Sequence, residues 1–188
     1  GTAGEMKMLT ANVSVKDPSG KLRSHGRGGL GAVMGSKKIK VITVDAEKYK
    51  EVEIADKDAF KAASKIFTAA LKRHPITGEG LPAFGTNVLV NVMSEAGGLP
   101  THNFRAGSWE DADSISGETM AETIEARGGS TTHGCLSGCV IQCSQVYLDE
   151  NKDFTTSGFE YETIWAFGAN FGITDLDLIA QCDYLMDD

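Results

Sequence analysis

The sequence predicts an α+β fold that is mainly α, with a β-rich portion over residues 1–50 and a multihelical portion over residues 51–188. The first 45 residues are rich in glycine and β-branched residues, and they contain short alternating stretches typical of strands. Beyond Asp56, apolar residues recur at intervals of three and four, which is typical of amphipathic helices. A chain of 188 residues is long enough for one domain or two small ones.

The β-rich portion contains two predicted strands. Residues 9–15 alternate loosely between apolar and polar side chains, and residues 39–44 read Ile-Lys-Val-Ile-Thr-Val. The Asp-Pro-Ser-Gly sequence at residues 17–20 indicates a turn after the first strand.

The multihelical portion begins with a predicted helix that Asp56 caps and that ends at His74 and Pro75, because proline cannot continue a helix. The residues at helical spacing within it are Phe60, Ala63, Phe67, Ala70 and Leu71. Further helices are predicted over residues 86–96, 112–127, 160–167 and 175–186.

Composition and charge exclude several classes of protein. A net charge of −8 disfavours nucleic-acid binding, which depends on clustered Lys and Arg. No apolar run approaches the roughly 20 residues of a membrane span, and the beginning of the chain lacks the pattern of a signal peptide. Four cysteines are too few for a disulfide-rich secreted scaffold, so reduced thiols and a cytoplasmic location are expected.

Three of the four cysteines, Cys135, Cys139 and Cys143, form a C-x3-C-x3-C pattern. Thiolates at such short range suit an iron–sulfur cluster or a zinc ion, and zinc could take His133 as a fourth ligand. Three small buried side chains are the alternative, because free cysteine is often buried. Cys182 lies in the apolar stripe of the last predicted helix, which indicates core packing.

Residues 26–31 form a glycine-rich loop with two interpretations. Glycines allow backbone N–H groups to approach a phosphate, and Arg27 and Lys37 could neutralise its charge. A structural turn is the alternative, since the order of residues matches neither a Walker loop nor a dinucleotide fingerprint.

Several ordered motifs together resemble the aldehyde ferredoxin oxidoreductase family of tungsten, sometimes molybdenum, pterin enzymes. The cysteine loop occupies the place where that family carries its cluster ligands, although its first interval has three residues where the family usually has two. The other similar stretches are residues 26–37 (GRGGLGAVMGSK), 98–104 (GLPTHNF), 115–118 (ISGE), 160–163 (EYET) and 168–173 (GANFGI).

The resemblance implies that the chain is an internal fragment of such an enzyme. Residues 1–50 would be the C-terminal part of an N-terminal pterin-binding β domain. Residues 51–188 would be the first part of the helical domain, and the fourth cluster cysteine is expected beyond residue 188. The family oxidises aldehydes to carboxylic acids with a tungsten or molybdenum bis-pterin, and it passes electrons through a 4Fe–4S cluster to ferredoxin.

The resemblance also implies roles for individual residues. Cys135, Cys139 and Cys143 would be cluster ligands, and Glu162, with Glu160 as the fallback, would be the acid/base group near the metal.

The pterin contacts come from the two ends of the chain. Arg27, Gly28 and Gly29 would lie against a pterin phosphate or a magnesium ion that bridges the phosphates, and Asp187 would bond the pterin ring. His102 and His133 are expected to be structural.

Two other hypotheses stay open at this point. The cysteine loop could hold zinc in a non-enzymatic structural module, or the fragment could be catalytically silent without a bound cofactor. The expected partners of the enzyme are ferredoxin and a small aldehyde, with neither nucleic acid nor a membrane. The substrate and the oligomeric state are left open, and a homodimer is one candidate.

Overall fold

The computed structural model divides the chain into two units, Gly1–Ala63 and Ser64–Asp188. It describes residues 1–26, 28–47, 49 and 52–187, with only the backbone of Asp187. Helices and small sheets are mixed, as the sequence predicts. The largest sheet, however, lies in the second unit rather than in the first.

The first unit contains two short helices and one antiparallel hairpin. Its elements are α1 (Thr2–Glu5), β1 (Ser14–Lys16), β2 (Leu22–Ser24) and α2 (Leu30–Ser36). Asp17 closes the hairpin, because its Oδ1 accepts hydrogen bonds from the backbone N–H groups of Ser19 at 2.9 Å and Lys21 at 3.0 Å. The turn predicted at residues 17–20 is therefore confirmed.

Both predicted strands of this unit need correction. Only the last two residues of the 9–15 prediction, Ser14 and Val15, belong to β1. Residues 39–44 are all described and form no strand, and the side chains of Val41 and Val44 are 74% and 83% exposed. Strand formation requires a neighbouring strand and a surface to cover, and among the described residues no strand pairs with residues 39–44.

The helix predicted after Asp56 is confirmed as α3 (Lys57–Arg73), which begins in the first unit and ends in the second. Asp56 caps it, since its Oδ1 accepts a hydrogen bond from the Ala59 N–H at 2.9 Å. The apolar stripe that the spacing indicates is real but exposed, with Phe60 at 58% and Phe67 at 65%.

The second unit contains the other helices and the three-stranded sheet. Its helices are α4 (Leu81–Phe84), α5 (Leu89–Glu95), α6 (Gly117–Arg127), α7 (Tyr161–Thr163) and α8 (Leu176–Asp187). Its strands are β3 (Ser130–His133), β4 (Ser144–Leu148) and β5 (Phe154–Thr156), antiparallel in the order β3-β4-β5. Short 3-10 segments cover Gly85–Val88 and Ala112–Ile115, and π-helical segments cover Ile76–Gly80 and Ile164–Ala169. Within the described part of the chain, no helix is long and apolar enough to cross a membrane.

The helix predicted over residues 112–127 is divided in two at Ser116. This residue has an extended backbone, and its Oγ accepts a hydrogen bond from the Thr119 N–H at 3.1 Å, so it caps α6. Serine competes well for such N-terminal positions and poorly for helix interiors, which explains the division.

A single hydrophobic core joins α5, α6, α8 and the sheet. The largest side chains that are fully buried in it are Tyr147, Phe159, Leu99, Ile115, Met120, Ile124, Ile164, Ile179 and Val90. On the sheet, the Tyr147 and Phe159 rings pack with their centroids 5.2 Å apart.

A half-buried ion pair ties three of these elements together. Arg127, the last residue of α6, donates to both carboxylate oxygens of Asp177 on α8, at 2.6 and 2.8 Å. It also donates to the Leu148 carbonyl at 3.0 Å and to the Tyr147 hydroxyl at 3.1 Å. Tyr147 in turn donates to Asp177 Oδ1 at 2.8 Å.

Candidate metal centre

The three clustered cysteines lie on the connection between β3 and β4. Residues 134–142 form bends and turns, and Cys143 enters the extended backbone of β4 through an isolated bridge to His133. Cys135 is exposed, Cys139 and Cys143 are half-buried, and all three thiols are free.

The Cys143 thiol is influenced by burial and by nearby negative charge. Burial raises the pKa of the Cys143 thiol, and the negative charges of Glu160, Cys135 and Cys139 raise that pKa further. Within the loop, the Gln142 N–H donates to Cys139 Sγ at 3.5 Å.

The three cysteine thiols of the loop are chemically suited to bind an iron–sulfur cluster. Thiolates are the ligands that such clusters take, and this loop supplies three of them. Among the residues described, no group of three or more His, Cys, Asp or Glu side chains is already gathered to hold a metal ion. Metal sites commonly complete their geometry only on binding, so loop closure would accompany loading.

Glu160 lies beside Cys143 and is held in place by Thr86. Thr86 Oγ1 donates to Glu160 Oε2 at 2.6 Å and accepts from the Tyr161 N–H at 2.9 Å. The Thr86 hydroxyl thus orients the Glu160 carboxylate and accepts a hydrogen bond from the first backbone N–H of α7. Glu162, the candidate acid/base group, is exposed on α7.

The Gln145 side chain occupies a narrow polar slot next to Cys143, between Gly85 and Gly158, that the sequence alone does not reveal. Gln145 is 2% exposed, and its side chain lies against Gly85 and Gly158. Both glycines have positive φ, +61° and +76°, and a Cβ at either position would collide with Gln145 or with the Cys143 carbonyl. A glutamine alone gives no signal in a sequence, and two distant glycines reveal the slot only once the fold brings them together.

The glycine-rich loop leads into α2. Gly29 adopts a left-handed conformation, with φ 67° and ψ 30°, and its carbonyl accepts from the Ala32 N–H at 3.0 Å. A Cβ at Gly29 would lie 2.7 Å from the Leu9 carbonyl oxygen, whereas one at Gly28 would meet nothing within 4 Å. Close packing explains Gly29, and Gly28 stays open to a ligand. Arg27 lies outside the described residues.

The remaining candidates are distributed over the second unit. Asp187 is the last residue of α8, and its side chain lies outside the described part of the structure. Cys182, on the same helix, is half-buried rather than part of the buried core. His102 has φ 47°, and its ring meets Trp109 edge-on at 6.4 Å, in accord with a structural role.

Two family models match the chain. "Aldehyde ferredoxin oxidoreductase, N-terminal domain" matches residues 1–46, and "Aldehyde ferredoxin oxidoreductase, domains 2 & 3" matches residues 62–188. The second match includes the cysteine loop, the slot around Gln145 and Glu160.

Curated relatives are similar over the whole chain. A tungsten-containing aldehyde ferredoxin oxidoreductase from Pyrococcus abyssi is 42% identical over 189 aligned positions, which cover 100% of this chain and 29% of the relative. The protein of the same name from Pyrococcus horikoshii is 41% identical with the same coverage. The one from Thermococcus kodakarensis is 43% identical over 88% of this chain and 26% of its own length. The chain thus spans under a third of the length of these relatives.

Proposed function

Because this chain belongs to the aldehyde ferredoxin oxidoreductase family, we propose that it is part of a tungsten-pterin enzyme that oxidises aldehydes to carboxylic acids. The electrons leave through a 4Fe–4S cluster to ferredoxin. The observation that carries the proposal is the loop of three free cysteines at the start of β4, with the Glu160 carboxylate next to it.

Cys135, Cys139 and Cys143 are the proposed cluster ligands. Cys143 is held at the start of the sheet by its bridge to His133, while Cys135 and Cys139 lie on the bends and turns that precede it. Burial and hydrogen bonds around such thiolates set the potential of the bound cluster. When bound, the tungsten centre supplies the two-electron oxidation and the cluster supplies one-electron transfer.

Two carboxylates of this chain, Glu162 and Glu160, are the candidates for accepting the protons that the reaction releases. Oxidation of an aldehyde by water gives a carboxylic acid, two protons and two electrons, so a base must accept protons at the reaction site. Glu162 is the proposed acid/base group, on the exposed side of α7. Glu160, one residue before α7 and oriented by Thr86, is the alternative base within the same motif.

The proposed pterin contacts are Arg27, Gly28, Gly29 and Asp187. Gly28 leaves open space where a Cβ would stand, which suits close approach of its backbone to a pterin phosphate or to a bridging magnesium ion. Arg27 would neutralise the phosphate charge, Gly29 sets the backbone direction, and Asp187 would bond the pterin ring.

Ferredoxin as the electron acceptor and a cytoplasmic location complete the proposal. A net charge of −8 and reduced thiols agree with that location.

The proposal is tested on the full-length enzyme that contains this chain. The purified protein should contain tungsten and about four iron atoms per cluster. It should also reduce ferredoxin when an aldehyde is supplied. Glu162→Gln should lower kcat with little change in iron content, and Glu160→Gln serves as its matched comparison. Iron and tungsten content without aldehyde-dependent reduction of ferredoxin would overturn the proposed activity.

A further inference from the structure

The side-chain amide of Gln145 has a buried nitrogen atom without a hydrogen-bond partner among the described residues. Its Nε2 is buried, and in the described part of the structure no hydrogen-bond acceptor lies within reach of it. Leaving a buried donor without an acceptor is unfavourable, so native proteins rarely retain one without a reason.

The position of Gln145 on the strand relates it to the cysteine loop. Side chains alternate between the two faces of an extended chain, so Cys143 and Gln145 are on the same face. A Cβ built on Gly85 would lie 2.9 Å from the Cys143 carbonyl oxygen and 3.3 Å from the Gln145 Cδ, so these two groups flank the same glycine. The carboxamide thus sits beside the backbone of the one cysteine that the sheet anchors.

The packing leaves the carboxamide little freedom to turn elsewhere. A Cβ at Gly158 would lie 2.5 Å from the Gln145 Cβ, and one at Gly85 would lie 3.4 Å from its Oε1. Glycine at both positions, each with positive φ, is what makes room for the side chain. A slot of this kind fixes the orientation of the amide.

Resting on the proposed function, we propose that Gln145 Nε2 donates a hydrogen bond to a sulfur of the 4Fe–4S cluster and thereby raises its reduction potential. A reduced cluster carries one more negative charge than an oxidised one, so a donor to its sulfur stabilises the reduced state. Gln145 supplies this donor without adding a charge. The nearby Glu160 carboxylate acts in the opposite direction, because its negative charge disfavours added electrons.

The test compares Gln145→Met with Gln181→Met in the full-length holoenzyme. Methionine preserves the length of the side chain and removes the donor, and Gln181 is an exposed glutamine on α8. Redox titration followed by EPR gives the midpoint potential, and iron analysis gives the loading. We expect normal iron in both variants and a lower midpoint only in Gln145→Met. At a fixed potential its ratio of reduced to oxidised cluster should fall about threefold to tenfold, and tenfold corresponds to about 59 mV.

A second measurement starts from the wild-type protein and uses the two variants to assign the signal. Wild-type protein labelled with ¹⁵N only at glutamine side-chain amides should show a ¹⁵N coupling in pulsed EPR of the reduced cluster. That coupling should persist in Gln181→Met and vanish in Gln145→Met. An unchanged midpoint in an iron-loaded Gln145→Met protein, or a wild type without the coupling, would overturn the inference. A wild type without any iron would instead refute the proposed cluster itself, so the two failures are distinguishable.

Discussion

The ion pair between Arg127 and Asp177 should be one of the strongest polar contributions to the stability of the second unit. Its side chains are 18% and 30% exposed, so it is neither a surface pair nor a fully desolvated one. Exposed pairs contribute about 0.2–1 kcal/mol, and hydrogen bonds to charged groups contribute about 1.5–3 kcal/mol. Arg127→Met would also leave the Leu148 carbonyl without this donor. Together these terms give an expected loss of about 2–3 kcal/mol in the free energy of unfolding.

The pair also predicts a pH dependence with a definite sign. The hydrogen bond from Arg127, more than any other cause, lowers the pKa of Asp177 in the folded protein. A carboxyl group with a lowered folded pKa stabilises the protein above its unfolded pKa, about 3.9, and this contribution disappears as the pH falls through the folded value. Asp177→Asn should therefore be less stable than the wild type at pH 7, and the difference should shrink towards pH 2.

Urea unfolding followed by circular dichroism at pH 7 and at pH 3 measures both effects. Arg73→Met, an exposed arginine at the end of α3, is the matched control and should change the stability by less than about 0.5 kcal/mol. The reasoning is refuted if Arg127→Met costs no more than this control. It is also refuted if Asp177→Asn and the wild type lose stability equally on acidification.

Three further predictions address the cap, the slot and the cysteines. Ser116→Ala removes the side-chain cap of α6 and should cost about 1 kcal/mol in urea unfolding, and a loss near zero would contradict the cap. Gly85→Ala should cost about 1–3 kcal/mol, because Gly85 has φ 61° and ψ −159° and a Cβ would press on the Cys143 carbonyl; a neutral result would show that the slot can widen. Cys143→Ser should abolish iron binding while Cys182→Ser retains it, and iron analysis that finds loss in the second variant would mean that Cys182 is a ligand.

The sequence predicts the helices well where local signals determine them. Asp56 and Pro75 bound α3 as expected, and the stripe over residues 175–186 corresponds to α8. These signals succeed because capping and proline act within one turn of the helix.

Strands were predicted less well, because their formation depends on partners distant in the sequence. Residues 39–44 have strong β propensity, but no strand in the described part of the chain pairs with them. The sheet β3-β4-β5 instead uses Ser-Thr-Thr-His and other mixed sequences that only pairing stabilises.

The sequence shows the spacing of the three clustered cysteines directly, but it does not show which residues the fold brings next to them. The approach of Glu160 to Cys143 joins residues 17 positions apart through the sheet, and Thr86 reaches Glu160 across 74 positions. The Gln145 slot depends on two glycines on different segments, which periodicity cannot relate. The roles of all these residues as ligands or catalytic groups stay predictions.

The most direct test of the central claim, a cluster held by the loop at the start of β4, is anaerobic reconstitution of the full-length protein with iron and sulfide. Metal analysis and EPR of the reduced sample follow. We expect about four iron atoms per site and the EPR signal of a reduced 4Fe–4S cluster, and we expect Cys139→Ser to lose both. Stoichiometric zinc in place of iron, or a cluster that persists in Cys139→Ser, would contradict it.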